Sequence, residues 1–167
     1  MRTKHLAAAV LLVAGCKGGE PQVGGDAGAA WLEVGGGEWQ FEPLEDGQEV
    51  ELVRGGQGGY HVWVSLRAGG VDPDNVRMSI TTEILSLAGS ESGSTLDRDL
   101  GSAPEPGTYH YIGWPAVLPE PGCADGEEVE VRVTITDRHG TQVGDRRTVV
   151  PLASITPPPC PAEQESP

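Results

Sequence analysis

The chain has 167 residues, with 25 Asp and Glu against 11 Lys and Arg and a formal net charge of -14 at pH 7. That balance excludes the basic stripe with which a nucleic-acid binder displaces counterions from phosphates, and it excludes a polybasic membrane-surface segment. With 25 Gly and 14 Pro, the chain lies just under the ~25–30% of these residues that marks low complexity, and its length suits one domain.

The first segment reads as an export signal. Arg2 and Lys4 make a short cationic start, and Leu6 to Val13 are an unbroken run of Leu, Ala and Val that stops at small residues. The run is far short of the ~20 apolar residues of a membrane-spanning helix. Val13-Ala14-Gly15-Cys16 resembles the lipobox of bacterial lipoproteins. The resemblance implies lipid transfer to the thiol of Cys16, removal of residues 1–15 and a palmitate-bearing anchor, with each buried methylene contributing ~0.8 kcal/mol. Lys17, in place of Asp after the Cys, resembles the pattern that sends lipoproteins to the outer membrane. The expected localisation is the cell envelope, lipid-anchored.

Residues 16–30 then form a tether. From Lys17 to Ala30 the sequence is Gly-rich with almost no bulky apolar group, so it is expected to act as a flexible leash reaching ~20 Å. The domain proper is expected over residues 31–152, followed by a Pro-rich tail over 153–167 that contains Thr156-Pro157-Pro158-Pro159-Cys160-Pro161.

Within 31–152 apolar residues recur with period 2 and not with helical spacing. Short strands are expected at Trp39 to Phe41 and Glu49 to Val53. A longer one follows the Gly55–Gly59 loop, where Tyr60, Val62, Val64 and Leu66 alternate with His61, Trp63, Ser65 and Arg67. Val76, Met78 and Ile80 alternate similarly, and Thr95 to Leu100 and Thr108 to Ile112 are shorter candidates. The strongest pattern sets Val129, Val131, Val133 and Ile135 against Glu130, Arg132, Thr134 and Thr136, the signature of one dry and one wet face. After the turn cluster Asp137-Arg138-His139-Gly140, Arg147 to Leu152 completes a hairpin. One phrase recurs: Asp46-Gly47-Gln48-Glu49-Val50-Glu51-Leu52 and Asp125-Gly126-Glu127-Glu128-Val129-Glu130-Val131 read as one turn-into-strand device used twice.

Seven or eight one-sided strands with no helical segment predict an all-β fold, a single antiparallel β-sandwich. The run from Glu128 to Val150 resembles the last two strands of immunoglobulin-like and fibronectin-like domains. It departs from the immunoglobulin pattern because the strands at Leu66 and Val129 carry no Cys. With Cys16 assigned to the lipobox, Cys123 and Cys160 remain as an even pair in an exported chain, which reads as one disulfide closing a 37-residue loop.

Catalytic signals are few. No serine-hydrolase, zinc-protease, P-loop or dinucleotide motif occurs, and Lys17 is the single lysine after Cys16, so an enzyme is not expected and no cofactor is implied. Met78 and the histidines lack the ligand spacing of a blue-copper centre. Asp72-Pro73-Asp74-Asn75 bunches oxygen ligands but lacks the Gly and Glu of a calcium loop and reads as a connecting turn. Asp97 and Asp99 read as a wet strand face. The remaining candidates are aromatic: His61 and Trp63 on the strand face opposite Val62 and Val64, and Tyr109 and Tyr111 in the Thr108 to Trp114 segment. These could recognise a glycan or an envelope protein; as the plainer alternative, Trp63 plugs the core and the tyrosines pack a sheet edge. The expected function is a non-enzymatic, membrane-anchored binding or structural module. The alternatives are a metal-handling protein using His61 and His110, or a hydrolase without a recognisable motif.

Overall fold

The computed structural model describes residues 28–161; the lipobox with Cys16, the signal segment and most of the tether lie outside the described residues. Ten strands and one helical turn occur in the order β1 (Trp31–Gly36), β2 (Glu42–Pro43), β3 (Gln48–Arg54), β4 (Tyr60–Gly69), β5 (Val76–Ile84), β6 (Ser92–Arg98), β7 (Gly101–Ser102), β8 (Thr108–Leu118), α1 (Pro121–Ala124), β9 (Val129–Thr136) and β10 (Gln142–Ala153). Among the described residues no helix is long and apolar enough to cross a membrane.

The strands form a β-sandwich. One layer runs β2-β1-β4-β8-β7 and the other β6-β5-β9-β10-β3. All pairs are antiparallel except β3 with β10, which is parallel. The last two residues of β3 leave that partner and pair with β4, so β3 joins the layers. Setting β1-β4-β8-β7 against β6-β5-β9-β10 gives the ABED and C′CFG order of immunoglobulin-type sandwiches.

The core lies between the layers and follows the alternation in the sequence. Val62, Val64 and Leu66 of β4 face Val76, Met78 and Ile80 of β5 and Val129, Val131, Val133 and Ile135 of β9, all buried. Met78 is fully buried among them. Each such side chain contributes roughly 1.5–3 kcal/mol on leaving water.

The repeated Asp-Gly phrase has one physical purpose. Asp46 Oδ1 accepts the Thr148 backbone N–H at 2.9 Å, and Asp125 Oδ1 accepts that of Ala153 at 2.8 Å. Gly47 and Gly126, at φ 78° and 81°, donate to the carbonyls of Thr148 and Pro151. Both copies are therefore turns clamped on β10, and they deliver β3 to one edge of it and β9 to the other.

The structure corrects several boundaries. Trp39 to Phe41 is a bend and not a strand, since Gly37 takes φ 96° and turns the chain out of the sheet. β1 precedes it, in a Gly-rich stretch with little alternation. β8 continues to Leu118 and β10 begins at Gln142, β6 is displaced toward Ser92, and α1 adds a single helical turn.

The Cys123–Cys160 disulfide is present, with the Cα atoms 4.6 Å apart and 37 residues enclosed. It ties α1, just ahead of β9, to the tail after β10. The same tail passes so close to Gly122 that a side chain there would meet the backbone carbonyl of Pro158.

Candidate functional site

The outer face of the β1-β4-β8 layer carries the most chemically diverse surface. β4 places His61, Trp63, Ser65 and Arg67 on this face, opposite its core residues. β8 contributes His110 and Ile112 to it. Tyr109 and Tyr111 instead lie across from Ala68 and Leu66 and pack half-buried against the core, where Tyr111 meets the buried Trp114 edge-on at 6.0 Å. The four aromatic candidates thus divide: His61 and Trp63 outside, Tyr109 and Tyr111 inside.

A bulge organises the outer face. β4 advances from Val64 to Leu66 while β8 runs from Trp114 back to Tyr111, which leaves Ile112 and Gly113 opposite Ser65. Bulges of this kind re-aim side chains. The Ser65 hydroxyl accepts the Gly113 N–H at 3.0 Å and donates to the Gly37 carbonyl at 2.9 Å. Gly113 has φ 71°, and any Cβ there would collide with the carbonyl of Glu38. The segment after β1 is therefore fastened across the sheet at Gly37 and passes close over Gly113 at Glu38, and the next residue, Trp39, has 84% of its surface exposed.

Beside Trp39 lies a cavity of about 330 Å3 lined by Gln40, Phe41, Arg67, Pro104, Glu105, His110 and Ile112. Arg67 is held by its neighbours. Its guanidinium donates to Glu33 at 2.8 Å, approaches Glu105 at 3.7 Å and lies 4.2 Å from the centroid of the Phe41 ring. The groove thus combines flat apolar surfaces with a charged fork, an imidazole and an amide.

His61 and Trp63 lie further along β4. Their rings meet edge-on at 4.5 Å. His61 is buried, and among the described residues its Nε2 has no hydrogen-bond partner. Burial holds its pKa below the ordinary value, against a smaller upward pull from Glu38. Trp63 is half-buried on the outer face and does not plug the core.

His61 and His110 do not converge. His61 is opposite Val117 and His110 opposite Arg67, six positions apart along β4, or about 20 Å at ~3.3 Å per residue. Among the described residues no group of three His, Cys, Asp or Glu is placed to hold a metal ion.

The Asp72 to Asn75 segment and His139 belong to a polar knot at one end of the sandwich. Asp72 accepts from Asp74 N–H at 3.0 Å, Arg138 Nε at 2.8 Å and, across 3.0 Å, faces His139 Nε2. Asp137 accepts the backbone N–H groups of Asp72, His139 and Thr141, and these bonds, led by that from Asp72, pull its pKa down to about 2. Asp99 accepts the N–H of Asn75 at 2.7 Å, and Asp97 pairs with Arg77 at 3.1 Å. Asp72, Asp99 and Asp137 are thus satisfied by the turns they organise, and Asp97 by a cross-strand arginine.

Trp39, Phe41 and Arg67 are the site residues that periodicity alone did not expose. For the two rings the signal was present as three glycines followed by two aromatics, Gly35-Gly36-Gly37-Glu38-Trp39-Gln40-Phe41; for Arg67 the sequence carried none beyond its place on the wet face of β4. A scan against protein-family models matches none, and a search of curated proteins finds no significant match.

Proposed function

We propose that the protein is a lipid-anchored, non-enzymatic module of the cell envelope whose ligand is a glycan gripped at the Trp39 groove.

 The observation that carries this reading is the 84% exposure of an indole on a segment fastened at Gly37. An exposed Trp is ordinarily unfavourable, and one carried on a tied-down segment supplies contact area with less of the entropic loss of ordering a loose loop. The apolar C–H face of a pyranose stacks on such a ring, and Arg67, Glu105, His110 and Gln40 are within the same groove to hydrogen-bond hydroxyls.

The anchor rests on Cys16. Its thiol would take the lipid, residues 1–15 would be removed, and the Gly-rich tether would set the sandwich close to the membrane, in an oxidising compartment consistent with the Cys123–Cys160 bond. The net charge of -14 speaks against nucleic acid as a partner.

Two variants test the two halves. Trp39→Ala is expected to weaken retention on immobilised oligosaccharides by at least about tenfold with little change in Tm, because the ring is almost wholly in solvent. Retention equal to the wild type would refute the groove. Cys16→Ala is expected to lose membrane fractionation and palmitate incorporation, and persistence of both would refute the anchor.

A further inference from the structure

β3 presents a strand edge beside a cleft that shares no lining residue with the Trp39 groove. Gln48 to Leu52 of β3 pair with β10 on one edge, and among the described residues only Val53 and Arg54 have a strand partner, β4, on the other. β1 takes up β4 no earlier than Ser65. Between those pairings the layer stands open, and the opening is a cavity of about 410 Å3 whose lining includes Glu38, Glu42, Glu49, Glu51, Val53 and Trp63. An unpaired strand edge offers a row of N–H and C=O groups to another extended chain. Here that row lies inside a cleft and not along a flat rim.

Charge selects the occupant. Among the described residues no Lys or Arg lines the cleft, and none of these four glutamates is in an ion pair. Glu49 and Glu51 are exposed and alternate with the inward-facing Val50 and Leu52. Carboxylates on an edge repel acidic strands, a second copy of this chain at net charge -14 among them, and leave a cationic strand as the favoured partner. The half-buried Trp63 adds a ring face suited to an ammonium or guanidinium group.

We propose that this cleft binds an extended, Lys- or Arg-bearing segment of a partner protein, added as a strand to the free edge of β3 with its cationic side chains on Glu49, Glu51 and Trp63. The inference is independent of the glycan reading and survives its failure.

The test uses the full chain and a synthetic hexapeptide of alternating Lys and Val, with spermine and the corresponding Glu-Val peptide as controls. The Lys-Val peptide is expected to slow amide hydrogen exchange across Gln48 to Leu52 by at least about tenfold, and the Glu-Val peptide to leave it unchanged. Glu49→Gln with Glu51→Gln is expected to weaken peptide affinity by about tenfold or more. The proposal is overturned if the peptide gives no protection in β3, if the double variant binds as the wild type does, or if spermine matches the peptide in both affinity and protection. The exchange measurement on the unaltered chain decides the matter even if the variant does not fold.

Discussion

At His61 an imidazole sits buried with one nitrogen unpartnered, while at Asp137 a carboxylate is surrounded by three backbone donors. Both groups make the fold acid-sensitive, in different pH windows. His61 has a lowered folded-state pKa, so the unfolded chain takes up its proton first and stability declines as pH falls below the ordinary value of about 6.5. Asp137 is held down to about 2; its contribution is complete above the unfolded pKa of about 3.9 and is lost as pH falls from there through about 2. Thermal unfolding followed across pH is expected to show two declines. His61→Phe should remove the upper one and leave the lower. Asp137→Asn should lower Tm near neutrality and flatten the acidic decline. A single decline unaffected by either substitution would contradict this assignment.

At the scale of elements, the bulge between β4 and β8 and the segment after β1 act as one unit through Ser65. Ser65→Ala leaves the Gly113 N–H and the Gly37 carbonyl without that partner. Leaving a buried polar group unsatisfied costs ~1–3 kcal/mol, so denaturant unfolding is expected to show a loss of about 2 kcal/mol together with weakened binding at the Trp39 groove. Trp39→Ala should weaken binding alone, and the contrast separates positioning from contact. The strands themselves were legible where alternation was clean: β4, β5 and β9 carry Val, Ile, Leu and Met on one face in phase. β1 was hidden because Gly35 and Gly36 supply no side chains to alternate. Gly35 is small for a reason visible only in three dimensions, as the Phe41 ring lies where its Cβ would be. The parallel pairing of β3 with β10 was equally hidden, since two edges of one strand look alike in sequence.

For the whole molecule, a sandwich of modest core is closed at its tail by one covalent bond. The 37-residue loop between Cys123 and Cys160 corresponds to about 4 kcal/mol in the chain-entropy account. Reduction is therefore expected to lower unfolding stability by roughly 2–4 kcal/mol, read from denaturant midpoints with and without reductant, and an unchanged midpoint would contradict that contribution. The pairing could be read from the parity of the cysteines, and the sandwich from its alternation. The groove could not, because it joins Trp39 and Phe41 from one segment to Arg67 of β4 and His110 of β8, residues brought together only by the register of β4 with β8 and the bulge within it. Clustering within Thr108 to Trp114 suggested Tyr109 and Tyr111 as binding residues, but successive positions on a strand face opposite ways, so His110 turns outward and the tyrosines on either side of it turn to the core.

The most direct measurement is nuclear magnetic resonance of the chain titrated with a panel of soluble pyranose oligosaccharides. Recognition at the groove predicts that the indole N–H of Trp39 and the backbone amides of Gln40, Glu105, His110 and Ile112 shift first and together, saturating with one affinity. Saturable shifts confined to other surfaces, or none at Trp39 with any oligosaccharide of the panel, would contradict it.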